Sequence, residues 1–238
     1  MENMAKVVKN TLHFSLIAQF IALLIGLYAY SLEIPPNDFP LKTILVMENI
    51  VQAIEFTFYV WFGIFAIQTV MKSDIAKYRY YDWMFTTPIM LVNTLLYLKY
   101  VNYHENSRKG ELTDSWNFIA PEWANILQIV IANGLMLIVG YLQEIGKMSL
   151  LWSSLIGFFS LYYTFWILYT YVSTNATWWL WLTIFSLWNL YGVAALFPSV
   201  WKNAGYNILD IFSKNVYGVY ISIVVIMLNR AMIKGINH

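Results

Sequence analysis

Five ionisable side chains stand inside apolar stretches of this 238-residue sequence: Glu48, Glu55, Asp82, Asp210 and Lys214. An ionised group at the centre of a lipid span costs roughly 2.5–3.5 kcal/mol on insertion scales, so each marks a site by default. Asp210 and Lys214 are four residues apart, which sets them on one helix face about one turn from each other. A mid-span lysine needs a counter-ion or must lose its proton. One carboxylate would make a structural ion pair. Two, Asp210 and Asp82, would overcompensate unless a further cation such as Arg79 joined them. A lysine amine is equally the usual Schiff-base partner of a carbonyl ligand, and physics alone leaves both uses open. Snorkelling from a span end to water also stays open for Glu48 and Arg79. It fails for Lys214, which has nineteen span residues after it.

Other residues gather round these charges. Glu48 and Glu55 are seven apart, so they share a helix face two turns apart, roughly 10 Å along the axis. A ladder of carboxylates at that spacing suits cation passage, because each site attracts an ion without holding it. The run Arg79–Pro88 reads RYYDWMFTTP and places Asp82 and Thr86 on one face, with Trp83 and Thr87 beside them. Trp188 and Tyr191 lie about one turn apart further on. Such aromatic stripes commonly serve packing or an interface belt, but these are mid-span and accompany a buried lysine.

The elements that must position these groups follow from composition. The chain is 60% hydrophobic, 18% aromatic and 11% charged, against roughly 25% charged in soluble domains. Its mean hydropathy is +0.57. A soluble protein could not cover its surface with so few charges, so the class is all-α membrane protein. Continuous apolar runs exclude a transmembrane β-barrel, which alternates. Seven spans are expected near 11–32, 43–71, 79–101, 119–143, 148–173, 176–198 and 204–233. They are separated by EIPPNDFP, MKSDIAKY, YVNYHENSRKGELTDSW, QEIGK, STNAT and FPSVWKNAG. Spans of about 22 residues would use about 154 positions. That predicts one domain over 1–238, with no soluble catalytic domain and no enzymatic chemistry.

Several functions are excluded on the same grounds. A net charge of +1 provides no basic face for nucleic acid. With no cysteine, disulfide and thiolate chemistry are absent. His13, His104 and His238 are too dispersed for a metal motif. The N-terminus MENMAKVVKN lacks a cleavable signal pattern, so the first run is expected to insert as a span. Orientation is undecided by charge. With the N-terminus outside, Lys42, Lys99, Arg108, Lys109, Arg230 and Lys234 face the cytoplasm. Lys6, Lys9, Lys72, Lys77, Arg79, Lys147 and Lys202 face outward, six against seven. The sequon Asn175-Ala176-Thr177 does not decide it either.

RYYDWMFTTPIML resembles the third helix of microbial (type 1) rhodopsins, and ILDIFSKN resembles their seventh. AIEFTFY, ANGLM and WNLY extend the resemblance over the whole chain. It implies a seven-transmembrane-helix bundle with the N-terminus extracellular and the C-terminus cytoplasmic. It also implies all-trans retinal held by Lys214 as a protonated Schiff base. Asp82 and Asp210 would be counter-ions, with Arg79 bridging outward. Trp83, Thr87, Met136, Trp188 and Tyr191 would line the retinal pocket, Thr86 would hydrogen-bond near Asp82, and Asn133 would tie the fourth span to Thr87. Gly192 stands where the family commonly has proline, and Ala195 where it commonly has a second pocket tryptophan. Both changes are expected to leave room near the ring end of retinal.

Within the family, an outward pump needs a proton acceptor, a cytoplasmic donor and an exit group. Asp82 suits the first, but the donor position is Asn93, which cannot deliver a proton. The exit region FPSVWKNAGYN has no carboxylate. Channelrhodopsins resemble the chain at Glu55 and at Asn215, which directly follows the lysine. With a helix-one serine these groups resemble the channelrhodopsin central gate. Ser15 is the candidate, with Ala22 competing for the position. The small size is similar to rhodopsins of the giant-virus group.

The expectation is a light-gated channel for monovalent cations and protons in the plasma membrane of a host cell. Light-driven isomerisation would release the Schiff-base proton to Asp82 or Asp210 and loosen a Glu55–Asn215 constriction. Glu48 would lie further along the same polar file. A light-driven outward proton pump is the alternative, with Glu48 or Glu55 replacing the donor. A sensory photoreceptor ranks below both. Homo-oligomerisation is compatible with this reading.

Overall fold

The helices begin where the chain can satisfy its free backbone donors. In the computed structural model of the protein, which describes residues 2–66, 75–105 and 114–235, Thr174 and Thr177 form a reciprocal capping box at one helix start. Asp114 accepts from the Trp116 N–H at another. The first helix, α1, spans Glu2–Ser31. A 3-10 turn Pro36–Asp38 leads into α2, Phe39–Trp61, which a π-helical turn Phe62–Ala66 prolongs. Helix α3 spans Ala76–Glu105 and passes through Pro88. Helix α4 runs from Ser115–Ile119 through the 3-10 turn Ala120–Glu122 into Trp123–Glu144. Helices α5 and α6 span Leu150–Tyr169 and Asn175–Ala195. Helix α7 comprises Ser199–Asp210, a π-helical segment Ile211–Val216, and Tyr217–Ile233.

These are the seven spans expected, several of them longer. The first begins at Glu2, the second at Phe39 and the seventh at Ser199. Polar residues before an apolar run can continue a helix beyond the lipid, which hydropathy cannot register. The expected end of the second span near 71, much of MKSDIAKY and part of the third connection lie outside the described residues. So do Lys72, Arg108, Lys109 and His238. Helix α4 stops at Gly146, whose φ of 72° is the left-handed conformation glycine adopts freely. The Lys147 N–H then reaches back to Leu142 O at 2.7 Å, and the Gly146 N–H to Gln143 O at 3.0 Å.

Each helix packs on its neighbours in the chain, and α7 returns to α1, closing a ring in which α7 also meets α2. The ring is apolar outside and polar inside. Phe14, Phe159, Trp166 and Met227 are exposed, whereas Glu48, Glu55, Asp210 and Lys214 are buried. That inversion fits lipid as the surrounding solvent. Among the described residues, by length and composition alone, five helices are long and apolar enough to cross a membrane. Helices α3 and α6 fall short because α3 carries Arg79, Asp82 and several threonines, tyrosines and asparagines, and α6 is dense in tryptophan and polar residues.

Candidate functional site

Helices α2, α3 and α7 bring their charges together at Lys214. Its ammonium donates to Asp82 Oδ2 at 2.8 Å and lies 3.5 Å from Glu55 Oε1 and 3.6 Å from Asp210 Oδ1. Lys214 is carried by the π-helical segment, an irregularity frequent at functional sites. Glu55, which the sequence places beside Asn215, is thus also a third carboxylate on the lysine.

Asp210 is held from three sides. Tyr59 and Tyr191 donate their hydroxyls to it at 2.5 and 2.6 Å, and Arg79 Nη1 stands 3.5 Å away. Arg79 is buried, so the snorkelling alternative fails for it. Its guanidinium donates to Tyr59 Oη at 3.0 Å, to Asn203 Oδ1 at 3.3 Å and to Asn207 Oδ1. Counted as ionised, Lys214 and Arg79 face three carboxylates, leaving the cluster a formal charge of −1. Two counter-ions balanced by Arg79 would have been neutral.

Toward the far end of α3 the polar chain continues. Asn215 Nδ2 donates to Glu55 Oε2 at 3.1 Å and to Gln52 Oε1 at 2.7 Å, and Gln52 Nε2 donates to Lys214 O at 2.9 Å. Glu48 is buried, and Asn93 Nδ2 donates to its Oε1 at 2.8 Å, so this glutamate does not snorkel either. Ser15 is buried and accepts from Gln19 Nε2 at 3.0 Å. Among the described residues Ser15 makes no hydrogen bond to Glu55 or Asn215, and Ala22 is buried two turns along. Gln19, Gln52 and Tyr59 escaped sequence reasoning because a neutral polar side chain in a span costs less than an ionised one and is commonly satisfied by an interhelical hydrogen bond. The spacing of Gln52 and Tyr59 around Glu55 was the available signal.

A cavity reaches Lys214. Trp83, Thr87, Met136, Trp188 and Tyr191 border it, together with Tyr206 and Ser213. Trp83 meets the rings of Tyr191 and Tyr206 edge-on at 5.6 and 4.8 Å. Asn133 Nδ2 donates to Thr87 Oγ1 at 2.9 Å, joining α4 to α3. Thr86 donates to the backbone oxygen of Asp82 at 3.1 Å, not to its carboxylate. Ala195 and Gly192 border the cavity, but the expected room at Gly192 is taken. A Cβ there would lie 2.6 Å from Phe158 Cζ, so the α5 ring occupies the space that the missing side chain frees. An elongated apolar group ending in a carbonyl fits this aromatic cavity, with an amine at its polar end.

The exit region also differs from expectation. Lys202 Nζ donates to Glu144 Oε1 and Oε2 at 2.7 and 2.9 Å, and both side chains are buried. The start of α7 therefore does have a carboxylate beside it, supplied by α4 from 58 residues away in the chain.

A closed ring of seven helices around a buried lysine–carboxylate cluster, with an aromatic cavity ending on the lysine, defines a polytopic membrane protein. The chain belongs to the bacteriorhodopsin-like protein family, whose model matches residues 10–228. The viral rhodopsin OLPVRII is similar in structure at 25% identity and a TM-score of 0.75, over 97% of this chain and 99% of that one. Xanthorhodopsin, described as a light-driven ion pump with dual chromophore, matches at 18% identity and a TM-score of 0.73, over 99% and 97%. The rhodopsin of Exiguobacterium sibiricum matches at 19% identity and a TM-score of 0.67, over 95% and 97%. Among curated proteins none matches. Members of this family typically carry retinal and transport ions across a membrane.

Proposed function

We propose that this protein is a light-gated cation channel of a host plasma membrane, with its N-terminus extracellular and its C-terminus cytoplasmic. The observation that carries the reading is the third carboxylate. With every group counted as ionised, Glu55 gives the Lys214 cluster a surplus negative charge, and it accepts from Asn215 at the same time. A pathway through such a site attracts cations and repels anions. Among the described residues, every buried amide or carboxylate atom without a hydrogen-bond partner is an oxygen: Gln19 Oε1, Glu48 Oε2, Glu55 Oε1, Asp82 Oδ1, Asn93 Oδ1 and Asn215 Oδ1. Oxygen acceptors without donors suit cations.

All-trans retinal would be held by Lys214 and lined by Trp83, Thr87, Met136, Trp188 and Tyr191. Bound there, it would supply light absorption and a light-driven change of shape at the lysine nitrogen. Asp82 Oδ2, at 2.8 Å, is placed to take the proton of that nitrogen, while the two tyrosines and Arg79 keep Asp210 in place. Once the nitrogen is neutral, Glu55 loses the attraction that holds its Oε1 at 3.5 Å. The Glu55–Asn215 constriction then loosens, and Glu48 receives the ion further along. Ser15, buried on α1 and bonded to Gln19, is the helix-one member of the proposed file.

A second reading, the outward proton pump, draws on the Asn93–Glu48 hydrogen bond, which sets a carboxylate at the height of the missing donor. Purified protein in liposomes separates the two. A channel dissipates a preset potassium gradient in light and creates no gradient of its own. A pump acidifies or alkalises the lumen from equal solutions, and that outcome would overturn the channel reading.

A further inference from the structure

We infer that Gln52 is a positioning residue that couples the backbone of the lysine-bearing π segment to the Glu55–Asn215 constriction. The inference rests on the channel reading for its role, but its geometry stands independently. Gln52 is buried in α2 and spends both ends of its amide on α7. Its Nε2 donates to Lys214 O, and its Oε1 accepts from Asn215 Nδ2. Asn215 Nδ2 is the same group that donates to Glu55 Oε2. One amide therefore links the main chain of the charged lysine to the side chain that closes the pathway. Glycine at 218 makes this possible, since a Cβ there would lie 2.8 Å from Gln52 Nε2.

The amide also constrains how the site can move. Within α7, Lys214 O accepts the Tyr217 N–H at the end of the π-helical segment. Gln52 adds a second donor to that carbonyl from another helix. A displacement of Lys214 O moves or breaks the Gln52 bond, and either outcome changes the acceptor available to Asn215. The asparagine then shifts its hold on Glu55. Without Gln52, Lys214 O and Asn215 would each lose a partner, and the constriction would no longer follow the lysine backbone.

Two variants divide the roles of the amide. Gln52→Leu removes both bonds, whereas Gln52→Glu keeps an acceptor for Asn215 and loses the donor to Lys214 O. In a voltage-clamped cell, Gln52→Leu should slow channel closing about tenfold, the effect of roughly one buried hydrogen bond. Visible absorbance should persist, because Gln52 does not touch the lysine nitrogen. The double variant Gln52→Leu/Asn215→Ala should close no more slowly than the slower single variant. Carbonyl-13C lysine labelling should show an upshifted Lys214 band in the light-minus-dark infrared difference spectrum of both Gln52 variants.

Closing rates within twofold of the parent, or additive single effects, would overturn the coupling. So would an unshifted carbonyl band. If the parent itself passes no reversing photocurrent, the channel reading fails and the same cycle is read on recovery of the pigment after a flash. Additive recovery rates there would overturn the coupling separately. Should Gln52→Leu fail to yield pigment, Gln52→Glu carries the test.

Discussion

Replacing Glu55 by glutamine tests the surplus charge with almost no change of shape. Glu55 Oε1 is 3.5 Å from Lys214 Nζ, against 2.8 Å for Asp82 and 3.6 Å for Asp210. At an effective dielectric of about 20, these separations correspond to about 5, 6 and 5 kcal/mol of attraction, so Glu55 supplies roughly a third. Lys214 therefore keeps two carboxylates in Glu55→Gln, and the pigment should form. A monovalent cation passing at the same 3.5 Å has no such remaining carboxylate held against it at that point. The loss is about 5 kcal/mol at that dielectric and about 1 kcal/mol in a water-filled path. Even the lower figure is at least about fivefold in site occupancy. Removing the charge also relieves its repulsion of anions. Under a sodium chloride gradient in a voltage-clamped cell, the reversal potential should therefore move toward zero by up to about 40 mV for an about fivefold fall in cation-over-anion preference, taking 59 mV per decade for one charge. A shift below about 10 mV, with unchanged dark conductance, would refute the assignment of Glu55 to the pathway.

Other outcomes follow from the same geometry. Lys214→Ala should abolish visible absorbance, and a retained band would refute the attachment site. Asn133→Leu leaves the Thr87 hydroxyl without its α4 donor, and should cost about 1–3 kcal/mol, read as a lower thermal bleaching temperature. Lys202→Met removes the ammonium from the buried Glu144 carboxylate and should cost about 3–5 kcal/mol, with Lys202→Met/Glu144→Leu recovering most of it. Equal bleaching temperatures for the single and double variants would contradict a buried pair. Gly192→Ala forces Phe158 to move and should cost about 1–3 kcal/mol, again read by thermal bleaching. An unchanged temperature would mean the α5 ring does not fill that space.

The bundle was legible because lipid imposes long apolar runs, and five intramembrane charges stood out against them. Asp82 and Lys214 were found this way, and the structure brings them to 2.8 Å. What escaped was whatever depends on a partner from another helix. Glu144 and Lys202 each read as ordinary span-end charges, and only the packing of α4 on α7 shows them as a buried pair. Asp38 reads as part of a loop, yet Tyr100 donates to it at 2.5 Å and His104 Nε2 lies 3.0 Å away. The π segment around Lys214 has no residue-level signature, since neither proline nor glycine marks it. Gln52 was invisible for a related reason. A neutral amide needs no counter-charge, so its value appears only when both of its ends find partners.

The central claim, passive cation conduction gated by light, meets its most direct test in photocurrent recorded while the membrane voltage is swept. The account predicts a current that changes sign, at a potential that moves when external sodium or potassium is exchanged. An outward current that keeps its sign across the whole voltage range would contradict it.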